Sequence, residues 1–498
     1  MKLSVSRILE QIPEKEILLS LYRLATSEGI KLYVVGGTVR DVILGRPVYD
    51  IDVTMFGDAI SFTERFAQLT KAKAIVLDEE QKSARAIFYH GELYMDFNTI
   101  RGNDIIDDLK TRDLTINAIA YDFNQLFTSD EVELIDPCNG IDDLNNRIIN
   151  FTSPQTIIDD PIRMLRVYRF SATLDFTISD ETLSLISTQS TLLNKVSVER
   201  IRDELFKILD VNNSAKYIKA LDNVGIIEQI FPEIIPMKGM EQNEYHHLDV
   251  WDHSMLSLDL FEQQIIPDSL QDYSSEIEAY LNFSIVKGRN IKSLLKLAIL
   301  LHDIGKPLVR AMDKNGRIRF FDHHFRGATL ALNIGIRLKL ANRESKFISD
   351  IIGYHMYPLS LCTDYNKKHV SQRNKERYAL RFVQRTEAEC LAVLLLSFAD
   401  LRATQGPWRK DGDLEDLNRL IGEIAKIYFR EKQFPMAQLI TGDDLMKEFA
   451  LASSPIVGKL LKSIRKAQFE GKLKTRQEAL ELARKKLRQY GNNGTDKN

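Results

Sequence analysis

The chain has 498 residues, 44% of them apolar, and a formal net charge of −3. That length supports roughly two to four domains with ordinary cores, and the near-neutral charge neither requires nor excludes a polyanionic partner. Cys138, Cys362 and Cys390 lie too far apart for a disulfide framework or a zinc-finger spacing. The longest apolar runs, such as 390–399, reach about half a membrane span, and Arg7, Glu10, Glu14 and Lys15 come too early for a signal peptide. A cytoplasmic protein with no membrane partner is expected, and no repeat of fixed period is visible.

Residues 1–30 read as one or two amphipathic helices broken at Pro13. Leu32, Val34 and Val35 form a short buried strand. Gly36 and Gly37 then permit a tight turn with bare N–H groups, and 39–44 reads as a short helix stopped by Gly45 and Pro47. A glycine turn running into a helix N-terminus favours an anion, and Arg40 in the first turn can reach the same phosphate. In the strand 49–54, alternation puts Asp50 and Asp52 on one face, a pairing suited to a hard cation such as Mg²⁺. A helix is expected at 59–70 and strands at 74–77, 84–89 and 93–98, giving a small mixed sheet. Asp96 reads equally as a third acidic residue near the metals or as an ordinary edge-strand carboxylate.

Asp113 reads as the start of a helix, with Asn117 one turn on and Arg112 at its head, where a triphosphate is within reach. Residues 136–149 read as a turn needing a special backbone at Gly140, followed by a helix. In 156–170, Asp159 or Asp160 caps a helix with Pro161 early in it, so Asp160 and Arg163 become surface neighbours, as do Arg163 and Arg166. Arg169 lies far round from Asp160, since each step of three drifts about 60°. Residues 197–209 form a strongly amphipathic helix to which no chemistry is assigned.

Seven of the nine histidines fall between His246 and His355. His253, His302 with Asp303, His323 with His324, His355 and Asp400 each sit at the end of an apolar helical stretch. Imidazole plus carboxylate suits several divalent metals without choosing among them. From 441 to 487 helices are separated by Ser453-Ser454-Pro455 and Gly471, and basic residues, Lys474 among them, far outnumber acids. That is a plausible phosphate-backbone footprint. The end after about Gly491 reads as disordered.

The stretch 32–54 resembles the signature of polymerase-beta-like nucleotidyltransferases, and more narrowly the bacterial class II tRNA nucleotidyltransferases (CCA-adding type) and their poly(A) polymerase relatives. Arg112 and Asp113 resemble the last two positions of the family's Arg-Arg-Asp motif, with Thr111 in place of the first arginine. Residues 136–149 resemble its next motif, taken as a hinge, and 156–170 its Glu-Asp-x-x-Arg motif, with Asp159 for the glutamate. The resemblance implies that Asp50 and Asp52 are catalytic Mg²⁺ ligands. It implies that Gly37, Arg40 and Arg112 hold the triphosphate and that Asp113 contacts nucleotide. Asp160 and Arg163 would read the base, and Arg166 and Arg169 would hold phosphates or another side of the base. Cytosine and adenine share an exocyclic amine that a carboxylate accepts, while an arginine donates to ring acceptors. The histidine spacing resembles the HD superfamily of metal-dependent phosphohydrolases. His253, His302, Asp303 and Asp400 match its core ligands, His324 and His355 the additional ones, with His323 as a possible substitute for His324. Lys306 could contact a phosphate.

The implied architecture is α+β and multidomain: a nucleotidyltransferase head (1–150), an all-helical neck with base selection (151–240), an HD domain (241–410) and a helical basic tail (411–498). The implied reaction is template-free addition of C and/or A, from CTP or ATP, to a tRNA 3′ end. The segment between Asp96 and Arg112 is shorter than in family members that add all of CCA. A CC-adding enzyme with a separate A-adding partner is therefore expected beside full CCA addition. An A-adding enzyme or poly(A) polymerase, an HD phosphohydrolase as the main activity, and a non-catalytic RNA-binding protein stand as alternatives.

Overall fold

A computed structural model describes the chain except residues 13, 90–92, 366–370, 434–438, 453, 470–471, 474 and 493–498. Pro13, Ser453, Gly471, Lys474 and the expected disordered end from 493 onward thus lie outside the described residues. The chain divides into two compact units, 1–232 and 233–498. Among the described residues no helix is long and apolar enough to cross a membrane.

The first unit is built on an eight-stranded sheet ordered β1-β8-β7-β2-β3-β6-β5-β4. Its strands are β1 (Lys2–Ser4), β2 (Leu32–Val35), β3 (Asp50–Met55), β4 (Lys73–Asp78), β5 (Ser83–Phe88), β6 (Leu93–Thr99), β7 (Ala120–Asp122) and β8 (Glu131–Ile135). The pair β3/β6 is parallel and the other pairs are antiparallel. Helices α1 (Val5–Gln11) and α2 (Lys15–Glu28) precede β2, α3 (Gly37–Ile43) links β2 to β3, and α4 (Ala59–Thr70) links β3 to β4. Register sets Val34 beside Val53 and Val53 beside Phe97, so these share one face. Phe62 and Phe66 of α4 close edge-on over Phe97, both at 5.6 Å, and dry that face. The opposite face carries Asp52 with Asp96 level beside it, and Arg85 level with Asp96. There Tyr33 and Val35 pack with Ile105 and Leu109 of α5 (Ile105–Lys110).

Several local expectations change. The N-terminal segment begins as strand, because Lys2–Ser4 pairs with β8. The helix expected at 39–44 begins two residues earlier, at Gly37. No α-helix begins at Asp113: α5 ends at Lys110 and only a 3-10 turn, Thr115–Asn117, follows before β7. Gly140 opens α7 (Gly140–Asn146) with ordinary φ, and the left-handed residue is Asn139. Glycine is required at 140 by close approach, since a Cβ would run into the Thr115 carbonyl.

The rest of the unit is helical apart from a short parallel pair that sets 148–149 beside 177–178. After α6 (Gln125–Thr128) come α8 (Gln155–Asp159), α9 (Arg163–Leu174), α10 (Asp180–Gln189), α11 (Val198–Asp210), α12 (Ser214–Asn223) and α13 (Ile226–Ile230). The helix expected to be capped at Asp159 or Asp160 is α9, but a separate helix, α8, runs up to Asp159. Asp160 is the extended break between the two, at φ −152°, its carbonyl accepting from the Arg163 N–H at 3.1 Å. Pro161 explains the break, because a residue before proline is pushed out of the α region.

The second unit is largely helical. It runs from α14 (Val250–Gln263) and α15 (Ser274–Asn282) through α16 (Ile291–Leu301), α17 (Lys306–Val309), α18 (His323–Arg337), α19 (Asn342–Tyr354), α20 (Met356–Tyr365), α21 (Gln372–Thr386) and α22 (Cys390–Ala403) to α23 (Asp413–Gln433). Helices α16 and α22 are apolar all round and form its centre, as their near-continuous hydrophobic runs require. Lys296, fully buried on α16, is tolerated there because Glu262 of α14 pairs with it at 2.6 Å. The last helices, α24 (Gly442–Phe449), α25 (Pro455–Phe469) and α26 (Arg476–Asn492), close a small core of Ile440, Leu445, Val457, Leu460, Ile464, Ala479 and Ala483.

Candidate active site and metal centre

Gly36 holds φ +68° and ψ −132°, a conformation that needs glycine, and turns β2 sharply into α3. A Cβ there would lie 3.0 Å from an Arg112 guanidinium nitrogen and 3.3 Å from Asp52 Oδ2. The bare turn is therefore what lets a cation and a carboxylate from two other segments converge on it. One on from it, Gly37 has Asp52 Oδ2 and Arg40 as its nearest neighbours. Thr38 fixes the relation between helix and strand, donating to the Asp50 carbonyl at 3.1 Å and accepting from the Asp52 N–H at 2.7 Å. Nothing in the local pattern singles out Thr38 beforehand.

Asp50 is exposed and Asp52 partly buried. Burial pushes the Asp52 carboxyl up to about 6; Arg112 opposes this, while Asp96 and Asp50 add to it. Such a carboxylate is relieved by a cation, so this pair fits a divalent metal by its own chemistry. Asp96 is held by Arg85, which donates to both its oxygens at 2.6 and 2.7 Å. Arg40 is turned inward, donating to Asn117 Oδ1 at 2.7 Å and to both oxygens of Asp41.

Beside this turn is a cavity of about 250 Å³ whose lining includes Arg112, Asp113, Asp160, Arg163, Arg166 and Arg200. Asp113 and Arg166, far apart in sequence, are joined at 2.5 Å. Asp113 also accepts from Asn117 and from the Leu114 N–H. Burial alone would raise its carboxyl; Arg166, Asn117 and Arg163 together outweigh burial and hold it at about 2. Arg163 donates to the carbonyl of Thr111 at 3.2 Å. Asp160 and Arg163 stay close, the Arg163 N–H donating to the Asp160 carbonyl at 3.1 Å, but the Asp160 carboxylate does not pair with the Arg163 guanidinium. Asp160 instead accepts both guanidinium N–H groups of Arg200, on α11, at 3.1 and 2.6 Å. Arg169 pairs with Glu204 at 2.8 Å and stacks on Phe170. It is not in the cavity lining. Arg200 and Arg85 are the cations that sequence reading missed; Arg200 is recognisable only once α11 lies against the break at 160.

In the second unit two ligand groups share one carboxylate: His253, His302 and Asp303, and Asp303, His323 and His355. Asp400 accepts from His253 Nε2 at 2.9 Å and lies 3.6 Å from His302 Nε2. His302, His323 and His355 place Nδ1 within 2.7–2.8 Å of the carbonyls of Ile299, Phe320 and Ile352. Those carbonyls fix the tautomer that leaves each Nε2 free to bind a metal. His323 Nε2 approaches Asp303 to 3.3 Å and His355 Nε2 to 3.3 Å. His323 is thus the residue gathered here, and His324 packs beside it outside both groups. Adjacent residues on a helix point about 100° apart, so only one can face the cluster. The buried Nε2 of His302 has no hydrogen-bond partner. An orphaned imidazole nitrogen among carboxylates fits a divalent metal. Lys306 bridges Asp303 (2.5 Å) and Gln242 (2.6 Å). The cluster borders a cavity of about 850 Å³ that also includes Tyr245, Arg319, Phe320 and Phe321.

Family models match in four stretches: Poly A polymerase head domain over 32–150, probable RNA and SrmB-binding site of polymerase A over 175–238, HD domain over 272–403, and tRNA nucleotidyltransferase domain 2 over 425–483. A curated A-adding tRNA nucleotidyltransferase from Deinococcus radiodurans is 30% identical over 90% of this chain and 93% of its own.

The chain belongs to the tRNA nucleotidyltransferase family.

A CC-adding member of that family from Thermus thermophilus is 26% identical over 90% of this chain and 92% of its own. Among solved structures, a Thermotoga maritima CCA-adding enzyme complexed with tRNA has TM-score 0.59 at 22% identity, covering 98% and 99% of the two chains. A structure of a CCA-adding enzyme with ATP has TM-score 0.62 at 22% identity, with the same coverage. As a family member the chain is a nucleotidyltransferase with a fused HD domain. The matched HD stretch begins after His253, which α14 nevertheless brings to the cluster.

Proposed function

We propose that this tRNA nucleotidyltransferase transfers cytidylate from CTP to a tRNA 3′ end, two residues in succession, with terminal A added by a partner enzyme. The observation that carries template-free transfer is the convergence of Arg112, Asp113, Asp160, Arg163 and Arg166 on one cavity beside the Gly36 turn and Asp52. A fixed preference, without a switch from C to A, is favoured by the segment after β6, which reaches the six-residue α5 through residues 100–104 alone. The Asp107 carboxylate caps its turn by accepting from Asn103, leaving little chain to change nucleotide preference.

The 3′-hydroxyl of the RNA gives its proton to solvent and its oxygen bonds to the α-phosphorus as the bond to the bridging oxygen breaks, and pyrophosphate leaves with that electron pair. Asp50 and Asp52 would hold Mg²⁺, which when bound supplies positive charge to the reacting oxygens. The Gly36 N–H is already committed to the Ile119 carbonyl at 3.1 Å, so Arg112 and the Gly37 N–H at the start of α3 would receive the triphosphate, with Arg40 supporting the turn. Arg166 keeps Asp113 ionised for nucleotide contacts. Asp160 and Arg163 would select the base, the carboxylate accepting from the amine that cytosine and adenine carry where uracil and guanine have a carbonyl. We assign 1–150 to the head, 151–240 to the neck, 241–410 to the HD domain and 411–498 to a tRNA-binding tail, in a cytoplasmic protein. Extension of transcripts ending before CCA, after C and after CC, with CTP, ATP or both, tests the reading. Two C residues and no A are expected; addition of C, C and A, or of A alone on the CC end, overturns it.

A second reading, metal-dependent phosphate-ester hydrolysis in the HD domain, is favoured by the partnerless His302 Nε2 inside a six-residue donor set. Its test is loss of hydrolysis in His302→Ala with nucleotide addition retained.

A further inference from the structure

Resting on the base-selection reading of Asp160, we infer that Arg200 is a specificity-determining positioning residue. Asp160 sits in the extended break between α8 and α9, so no helix fixes its side chain. The forked pair from Arg200 supplies that constraint across 40 residues, from a helix anchored by Ile201, Leu205, Ile208 and Leu209 in the core.

A bidentate guanidinium occupies one lone pair on each carboxylate oxygen and lies in the carboxylate plane. Each oxygen keeps a second lone pair, and these can accept an N–H from the exocyclic amine of cytosine or adenine. A carboxylate is acceptor-only. A protonated Asp160 would offer a donor to the carbonyl of uracil or guanine and lose the distinction. Arg163, held to the Thr111 carbonyl, remains beside it as a donor to ring acceptors. Arg200 and Asp160 both line the cavity, so the constraint acts where a base would lie. The fork therefore aims the acceptor, and amine-versus-carbonyl discrimination passes through it.

Arg200→Ala, Arg200→Lys and Asp160→Ala are compared by kcat and KM for CTP, UTP, ATP and GTP on the full-length chain, with melting temperature as a fold control. Arg200→Ala is expected to raise KM for the preferred nucleotide and to cut CTP-over-UTP preference (or ATP-over-GTP) by about tenfold, the scale of one specific base contact. Arg200→Lys, with one point charge in place of a fork, should recover part of that preference. Equal losses for all four nucleotides, or an unchanged preference, overturn the inference. If Arg200→Ala does not fold, Arg200→Lys decides by the same ratio. If Asp160→Ala itself keeps wild-type preference, the base-selection reading fails; if it loses preference while the Arg200 variants keep it, only this inference fails.

Discussion

At the scale of single residues, the two carboxylates at 50 and 52 have unequal surroundings. Asp52 is the one crowded by Arg112, Arg40 and the Gly36 turn. Asp52→Asn should lower nucleotide addition by more than about a thousandfold, the scale seen on removal of catalytic electrostatics, while hydrolysis by the HD domain is retained. Single-turnover extension beside a phosphatase assay reads both. The Asp113–Arg166 pair makes a prediction in pH. The folded carboxyl sits near 2, below its unfolded value of about 3.9. Its stabilisation is therefore full above about pH 4 and is lost as pH falls from 4 towards 2. Arg166→Gln should cost about 2 kcal/mol at pH 7, with the gap to wild type narrowing below pH 4; thermal melts across that range check it.

At the scale of elements, close approaches decide where change is tolerated. Gly140 sits against the Thr115 carbonyl, so Gly140→Ala must move α7 away from the 3-10 turn that positions Asn117. A loss of about 1–3 kcal/mol is expected, read by urea unfolding. In the second unit, Lys296→Met would leave Glu262 buried without its lysine and should cost about 3–5 kcal/mol, mostly recovered in the double variant with Glu262→Leu. The elements also show what the sequence could and could not tell. Strand β3 was legible because Asp-Ile-Asp-Val alternates, and α16 because its apolar run is followed by Gly305 and Pro307. The start of α9 was legible from Asp160 and Pro161, since proline in the first helical turn is common, whereas the short α8 that ends at Asp159 carried no signal of its own. β1 was invisible: three residues carry no period, and only pairing with β8 makes them a strand. His323 could not be separated from His324, because the choice depends on how α18 is rotated against α19. Arg200 was hidden because its partner is set by helix packing and not by spacing.

At the scale of the whole molecule, two chemistries occupy separate compact units. The head's oxygen donors suit a hard cation, while the donor set of the imidazole-rich cluster suits borderline divalent ions such as Ni²⁺ or Zn²⁺. Ni²⁺ at about a hundredfold over its dissociation constant should stabilise wild-type protein by about 2.7 kcal/mol, and His302→Ala should lose that gain; calorimetry with and without the ion checks it.

The eight-stranded sheet also dictates an order of events. Its parallel neighbours β3 and β6 are separated by α4, β4 and β5, and its outer pair joins Leu3 to Val132. Asp52 and Asp96 become level only after the intervening chain has folded back, and β1 stays unpaired until β8 emerges from the ribosome. Non-local pairings of this kind are slow to form. Nascent chains stopped before residue 131 should expose the β8-facing edge of β1 to protease, and release past it should confer protection.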